Sequence, residues 1–327
     1  VFEIVQRCTI EPDPITGRPR KILKARYVFK TKCNSDGTIS VFKARLVVKG
    51  YMEQKGIDYD QTFAPTCRAT SVRMLLSIAA IHDLHIRQHD VCHAFLGAKL
   101  TKQVYMEAPH GYPTIPPGCV LRIKKSLYGL KDAPRLFWKA MDKHLIHIGF
   151  KPSTIDPCLY TRTKIDSKTQ QREFTMIALI VDDMVVASTN KYNTLYQELQ
   201  TRFQMKDLGE PEFLLGLRVS RDRNKRAIYL SQEHYIDKLT RLFKIDDDNI
   251  PTPQTPGDPT IKQSHADSPD PPRKSPWPYR ELVGALLYAC TTRPDISYAV
   301  GVVCRYGANP GKLHWDAARR ISRYLKG

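Results

Sequence analysis

The sequence predicts an α+β fold, with hairpins and helices along one chain. Three observations predict it. Residues 26–50 alternate on either side of Asn34-Ser35-Asp36-Gly37, a turn sequence, and so read as a hairpin. Val72, Leu75, Leu76, Ala79 and Ala80 recur with the helical period of 3.6. Residues 176–187 form an apolar run broken only by Asp182-Asp183, which reads as two short strands with an acidic pair at their junction.

Taken in order, the first hairpin pairs Arg26 to Lys32 with Ile39 to Gly50 and is basic, carrying Lys30, Lys32, Lys43, Arg45 and Lys49. The cations from Arg18 to Arg26 enclose Ile22 and Leu23, which favours a strand of the same region over a nuclear-localisation run. The helix of the second observation has Ser71 available as a cap and ends near Asp83. A short strand follows over Ile86 to Val91. Pro134 opens a helix that runs through Trp138 and Met141 to Ile148. After the acidic hairpin, Tyr192 to Gln204 and residues 233–244 read as helices. From Asp246 to Pro278 nine prolines and few apolar residues mark a linker or long loop. Tyr279 to Cys290 and His314 to Leu325 read as two final helices. There is no internal repeat.

A chain of 327 residues allows two or three subdomains, and 42% hydrophobic residues is a globular rather than a disordered composition. The formal net charge is +18, which points to a polyanionic partner, nucleic acid being the commonest. A solvated basic surface is the plain alternative. The eight cysteines include no C-x-x-C pair, which argues against a zinc ribbon or a disulfide framework and fits a reducing compartment. No apolar run approaches the roughly 18 residues of a membrane span, so no membrane partner is expected. No signal peptide is evident. The chain lacks an initiator Met and stops at Leu325-Lys326-Gly327, so both ends read as cuts through a longer product.

The carboxylates carry the chemistry. Asp90 ends a strand, and Asp182 and Asp183 sit at the tip of an apolar hairpin. Phosphoryl or nucleotidyl transfer uses carboxylates so disposed to hold two divalent ions, about 3.5–4 Å apart, between the attacking and leaving oxygens. Mg²⁺ wants oxygen ligands and keeps several waters, so two or three carboxylates suffice. On composition alone an acidic, solvated turn accounts for the pair equally well. His82, His85, His89 and His93 cluster with Cys92, but no metal-site spacing links them.

Longer motifs decide between these readings. KARLVVKG at 43–50, GIDY at 56–59 and TFAP at 62–65 resemble the fingers of copia-type long-terminal-repeat retrotransposon reverse transcriptases. So do QHDV at 88–91 with AFL at 94–96, and SLYGLK at 126–131 with APR at 133–135. VDDM at 181–184 is similar to that family's catalytic hairpin, and KDLG at 206–209 and FLLG at 213–216 to the segments after it. LVG at 282–284, TRPDI at 292–296 and AARR at 317–320 continue the likeness, which covers nearly the whole chain in order.

The resemblance implies a right-hand polymerase, with a thumb, a palm built on an antiparallel sheet backed by helices, and fingers. It places fingers at 1–84, palm with an interleaved fingers segment at 85–225, the start of a thumb at 226–245, the Pro-rich linker at 246–278, and a helical connection at 279–327 toward a ribonuclease H domain. It implies that Asp90 and Asp182 hold metal, with Asp183 as an accessory acid, and that two Mg²⁺ ions serve, with Mn²⁺ as a substitute. Arg45, Lys43 and Lys30 would meet the incoming deoxynucleoside triphosphate, whereas Lys32 and Lys49 read as solvated. Phe95 resembles the gate against a ribose 2′-hydroxyl, an ordinary core Phe being the alternative. Gly129, Lys131 and Pro134 would lie along the template and nascent base pair, and Ile180 beneath the primer terminus. Leu214, Leu215 and Gly216 resemble the primer grip, and Lys206 the acid that protonates pyrophosphate. The implied partners are an RNA or DNA template–primer and the rest of a retrotransposon polyprotein, including integrase and ribonuclease H. The implied location is intracellular, a cytoplasmic virus-like particle or the nucleus.

Three departures from the family pattern stand out. Ile180 replaces a Tyr, Asp132 replaces a Gln, and Cys92-His93 replaces Asn or Thr. Asp132 would add negative charge where nucleic acid passes. The alternative function these departures favour is a decayed or domesticated fragment that binds nucleic acid without polymerising.

Overall fold

The computed structural model describes residues 1–327 except 34–37, 114, 166–171, 191–193, 246–250, 259, 261–262 and 270–274; the side chains of Lys32 and Cys33 are also outside the described set. The expected turn at 34–37 therefore lies outside the described residues. The chain forms two compact units, Val1–Pro211 with Asp222–Ala227, and Glu212–Arg221 with Ile228–Gly327.

In the first unit, in chain order, come β1 (Phe2–Gln6), β2 (Ile22–Leu23), β3 (Ala25–Cys33), β4 (Ile39–Val48), α1 (Ala69–Ile81), β5 (His85–Val91), β6 (Lys99–Met106), β7 (Cys119–Lys125), α2 (Ala133–His147), β8 (Lys151–Pro152), β9 (Leu159–Ile165), β10 (Arg172–Ile180), β11 (Asp183–Ser188), α3 (Leu195–Gln200) and β12 (Met205–Gly209). Strands β3 and β4 make an isolated two-stranded ribbon. A four-stranded sheet runs β1-β7-β6-β2, and a six-stranded sheet runs β12-β5-β11-β10-β9-β8. Ile22 and Leu23 form a strand, as their place among the cations led one to expect. They pair in parallel with Tyr105 and Met106 of β6, where Leu23 is fully buried among Val48, Val104, Leu121 and Ile123.

The six-stranded sheet is covered by α1, whose Val72, Leu75, Leu76 and Ala79 are buried at the helical spacing that predicted them. The helix starts three residues earlier than Ser71 would set it, and Ser71 is not its cap. A carboxylate distant in sequence instead ties down the start of the helix. Asp156 accepts from the Arg68 N–H at 2.9 Å, the Ser71 hydroxyl at 2.6 Å and the Cys158 N–H at 3.0 Å. Burial pushes Asp156 up, yet these donors outweigh it and hold the carboxyl below its ordinary range. Helix α2 begins at Ala133 with Pro134 in its first turn, where a missing N–H costs nothing, and buries Phe137, Met141 and Leu145. Helix α3 is shorter than expected, because the chain turns after Gln200 and buries Phe203.

The second unit contains β13 (Phe213–Leu214), β14 (Leu217–Asp222) and β15 (Ala227–Ser231) in one three-stranded sheet, then α4 (Glu233–Leu242), α5 (Tyr279–Ala289), α6 (Ser297–Cys304) and α7 (Lys312–Lys326). Its core joins Leu239, Tyr279, Leu282, Leu286, Val300, Trp315, Ala318 and Ile321. Helix α6 was not expected. The Pro-rich stretch is not a tether between two bodies, since residues 228–327 belong to one unit. Some of its described carbonyls are bonded by the helical part of the unit: Tyr306 donates to Gln263 at 2.8 Å, Asn309 to Pro269 at 2.9 Å and Arg320 to Thr255 at 3.3 Å. Composition shows how few N–H donors prolines supply, but not that such carbonyls find donors elsewhere.

Candidate active site

The centre of the six-stranded sheet brings the first candidates together. Asp183 of β11 is the register partner of Asp90 of β5, and on the other side of β5 Asp90 is the partner of Lys206 in β12. Register partners share a face, so Lys206, Asp90 and Asp183 form one row across three strands. Asp182 lies in the adjoining two-residue turn between Ile180 and Asp183, which themselves pair, and its carbonyl accepts the Val91 N–H at 2.9 Å. The sequence reading made Asp182 the second ligand beside Asp90; it is Asp183 that stands directly opposite Asp90, with Gln88 reaching its carboxylate at 3.5 Å.

The turn is strained. Val181 has φ 57°, a region that a β-branched side chain rarely enters. It is also 42% exposed, so no core packing explains its place. The electrostatics are equally pointed. Burial pushes the Asp183 carboxyl above its ordinary value, and the neighbouring charges of Asp182 and Asp90 push it further, against the Gln88 hydrogen bond. Three carboxylates that crowd in this way call for positive charge.

The opposite face of β5 is differently built. Burial raises Asp207, but the Arg87 guanidinium and the Gly209 N–H outweigh it and hold the carboxyl low. His89, almost fully buried, has its Nδ1 3.5 Å from Asp207 and its ring 5.4 Å from that of Tyr196. Asp207 thus braces the strand that presents Asp90.

The ribbon also sorts its side chains by face. Lys30 is the register partner of Lys43, and Val28 of Arg45, so the three predicted nucleotide-binding cations share one side. Phe29 and Phe42, on the other side, are about three-quarters exposed. The Arg45 guanidinium lies 5.6 Å from the Tyr128 ring centre, and Tyr128 meets the Phe95 ring edge-on at 4.8 Å. Phe95 is half-buried and also contacts Phe137 at 6.3 Å.

Gly129 and its neighbours dock on the root of the ribbon. The Val48 N–H donates to the Tyr128 carbonyl at 2.8 Å. Gly129 has φ 95°, and a Cβ there would stand 2.0 Å from the Val48 carbonyl oxygen, so only glycine fits. Lys131 donates its backbone N–H to Glu53 at 2.8 Å, and its ammonium engages the Tyr59 hydroxyl at 3.2 Å. Pro134 is half-buried in the first turn of α2. Asp132 does not face a nucleic-acid path as expected. It is 6% exposed, and burial pushes its carboxyl up, so it presents little charge outward.

Sequence reasoning missed Glu53, which sits in a polar loop with no local signal. Burial pushes it up to about 7, with the Asp132 and Asp58 charges adding to the effect against the Lys131 N–H. Leu215 and Gly216 form the two-residue turn between β13 and β14 in the second unit, at φ 52° and 78°.

Among the described residues no group of three or more His, Cys, Asp or Glu side chains is arranged to hold a metal ion. The donor set nonetheless fits a hard cation. Asp183 is partly desolvated and faces the charges of Asp182 and Asp90, and Mg²⁺ commonly takes one or two carboxylates and completes its shell with water and substrate phosphates.

Residues 15–256 match the family described as reverse transcriptase (RNA-dependent DNA polymerase). The chain is 39% identical over 316 residues to the retrovirus-related Pol polyprotein from transposon TNT 1-94 of Nicotiana tabacum, covering 94% of this chain and 23% of that one. It is 33% identical over 241 residues to the putative transposon Ty5-1 protein YCL074W of Saccharomyces cerevisiae, covering 72% and 74% respectively. A foamy viral protease-reverse transcriptase solved in complex with double-stranded DNA aligns over 92% of this chain and 45% of its own, at TM-score 0.43 and 12% identity. The chain belongs to the reverse transcriptase family of retrotransposon Pol polyproteins. It spans about a quarter of the length of the tobacco polyprotein.

Proposed function

We propose that the chain is the polymerase portion of a retrotransposon polyprotein and adds deoxynucleotides to a primer 3′ end, on RNA templates first and DNA templates second. The observation that carries this reading is the row Lys206–Asp90–Asp183 with Asp182 in the strained turn beside it. Asp90, Asp182 and Asp183 would hold Mg²⁺, or Mn²⁺ in its place. Divalent cations held there would offset the developing charge on the attacking and leaving oxygens.

In the reaction the primer 3′-oxygen bonds to the α-phosphorus of the nucleotide, the bond to the β-phosphate oxygen breaks, and pyrophosphate leaves. Lys206, the register partner of Asp90, would protonate that leaving group. Lys30, Lys43 and Arg45 bind the triphosphate, Arg45 with a planar fork suited to phosphate. Phe95 excludes a 2′-hydroxyl, and the segment around Gly129 and Lys131 backs the template. The partners are template–primer, deoxynucleoside triphosphates and the remaining polyprotein, in an intracellular setting.

Primer extension on poly(rA)/oligo(dT) with Mg²⁺ or Mn²⁺ tests this. Extension is expected in wild type, together with a cation-dependent rise in melting temperature that Asp90→Asn and Asp182→Asn abolish. Tight binding of the hybrid with no extension under either cation would favour a nucleic-acid-binding fragment.

A further inference from the structure

We infer that Tyr288, on α5, is a positioning residue for the primer strand, acting through the hairpin tip Leu215-Gly216. The inference rests on the proposed reading of that hairpin as primer-contacting, and goes beyond it by giving the C-terminal helices a part in the reaction.

Leu214 pairs with Leu217, which leaves Leu215 and Gly216 as a two-residue turn with both residues at positive φ. Turns of this type favour Asn-Gly or Asp-Gly, because a larger side chain is strained in the left-handed region. Leu215 is therefore the wrong residue for the backbone it adopts. Nor does the core retain it: Leu214 and Leu217 are buried, while Leu215 is 44% and Phe213 51% exposed. An apolar side chain held outward against its own conformational preference marks a contact surface rather than a folding need. The sugar faces of a primer strand offer an apolar surface of that size.

Tyr288 holds this tip. Its hydroxyl donates to the Leu215 carbonyl at 2.7 Å. A Cβ on Gly216 would stand 2.5 Å from the same hydroxyl, so glycine is required at that approach. The tyrosine is itself fixed at two points, its ring and its carbonyl. Its ring meets that of Tyr235 edge-on at 4.7 Å, and Tyr235 donates to the Ala285 carbonyl at 2.9 Å. Its own carbonyl accepts Gln232 Nε2 at 3.3 Å, and Gln232 is buried and accepts the Thr292 hydroxyl at 2.6 Å. A strained turn persists only where its surroundings hold it, and here the Tyr288 hydroxyl reaches the turn carbonyl from a supported ring.

Tyr288→Phe keeps the ring contacts and removes only the hydroxyl. In the 327-residue chain the KM for template–primer should rise about three- to tenfold, the effect of one hydrogen bond, with kcat changed less than about twofold. The Kd of a labelled RNA–DNA primer–template, measured by fluorescence anisotropy without nucleotides, should rise in parallel, and the melting temperature should hold. Leu215→Gly, which relieves the turn but removes its side chain, should give the same rise in KM with melting temperature unchanged or higher. If Leu215→Gly raises KM and Kd while Tyr288→Phe leaves both alone, the hairpin touches primer but Tyr288 does not position it, and the inference is overturned. If neither variant changes either constant, the primer reading of the hairpin falls and the inference with it. A Tyr288→Phe protein that melts early and loses kcat and binding alike would reduce Tyr288 to a structural residue and also overturn it.

Discussion

The turn Val181-Asp182 and the turn Leu215-Gly216 each join two antiparallel strands through two residues, and each begins with an apolar residue at positive φ, 57° and 52°. They differ in what holds them. The first is continuous with a backbone ladder: β10 and β11 pair from Ile180–Asp183 onward, and the Val91 N–H of β5 reaches the Asp182 carbonyl. The second closes a β13–β14 pairing of only two residue pairs, and a side-chain hydroxyl from α5 bonds its carbonyl. Strain of about 1–2 kcal/mol per turn is tolerable in either case. A sheet shares that strain among many hydrogen bonds, whereas the second turn depends on few. One side-chain substitution should therefore move the second turn and leave the first in place, so the first is probed best through its charges.

The largest expected effect breaks the first turn's chemistry without its geometry. Asp90→Asn or Asp182→Asn should cut primer extension by roughly a thousandfold, since several kcal/mol of charge stabilisation are lost. Hybrid affinity in an anisotropy titration should stay nearly unchanged, because scattered Lys and Arg supply it. Asp183→Asn should retain more activity, as Gln88 already engages that carboxylate. Equal extension by wild type and Asp182→Asn would remove this turn from the active site.

A second test asks whether buried acids alone mark a site, without a strained turn. Glu53 is buried and pushed up to about 7. Its proton is retained in the fold when the unfolded chain has already lost its own. The stability this supplies is full below about pH 4.5 and falls progressively until pH 7. Across that window the loss is on the order of 2–3 kcal/mol. Urea melts of Glu53→Gln, whose amide oxygen can still accept the Lys131 N–H, should lack that slope while extension at neutral pH survives. A collapse of extension like that of Asp90→Asn would mean that acid crowding, not the turn, defines catalytic residues here.

Smaller effects sharpen the contrast between the turns. Val181→Gly should raise stability by about 1 kcal/mol, the left-handed penalty less the entropy of glycine, and slow extension several-fold by loosening Asp182. Chemical melts and single-turnover extension would separate the two. A loss of stability would show that Val181 packs better than its exposure indicates. Smallest of all, Ile180→Tyr restores a polar tip on the strand leading into the turn. One added hydrogen bond is worth roughly 0.5–1.5 kcal/mol, so extension should rise several-fold. A slower enzyme would mean that the neighbourhood has repacked around the isoleucine.

The sequence by itself determined the elements whose signal is local. The apolar period placed α1, the alternation and turn residues placed the β3–β4 ribbon, and the interrupted apolar run placed β10 and β11 with the acids between them. Those signals need only the residues concerned and their immediate neighbours. It also named Asp90, Lys206 and Asp183 as candidates, but their alignment in one row is a matter of strand order, β12-β5-β11, in which the chain returns to the sheet after long excursions. Tertiary structure alone decided that Asp156 would bond the Ser71 hydroxyl at the start of α1, that Asp132 would be buried, that Glu53 would bond the Lys131 N–H, and that Tyr288 would reach Leu215. Each of these four rests on a partner far along the chain or on burial. A polar side chain carries no mark of which distant donor it will meet, and its ionisation follows from the water that packing removes.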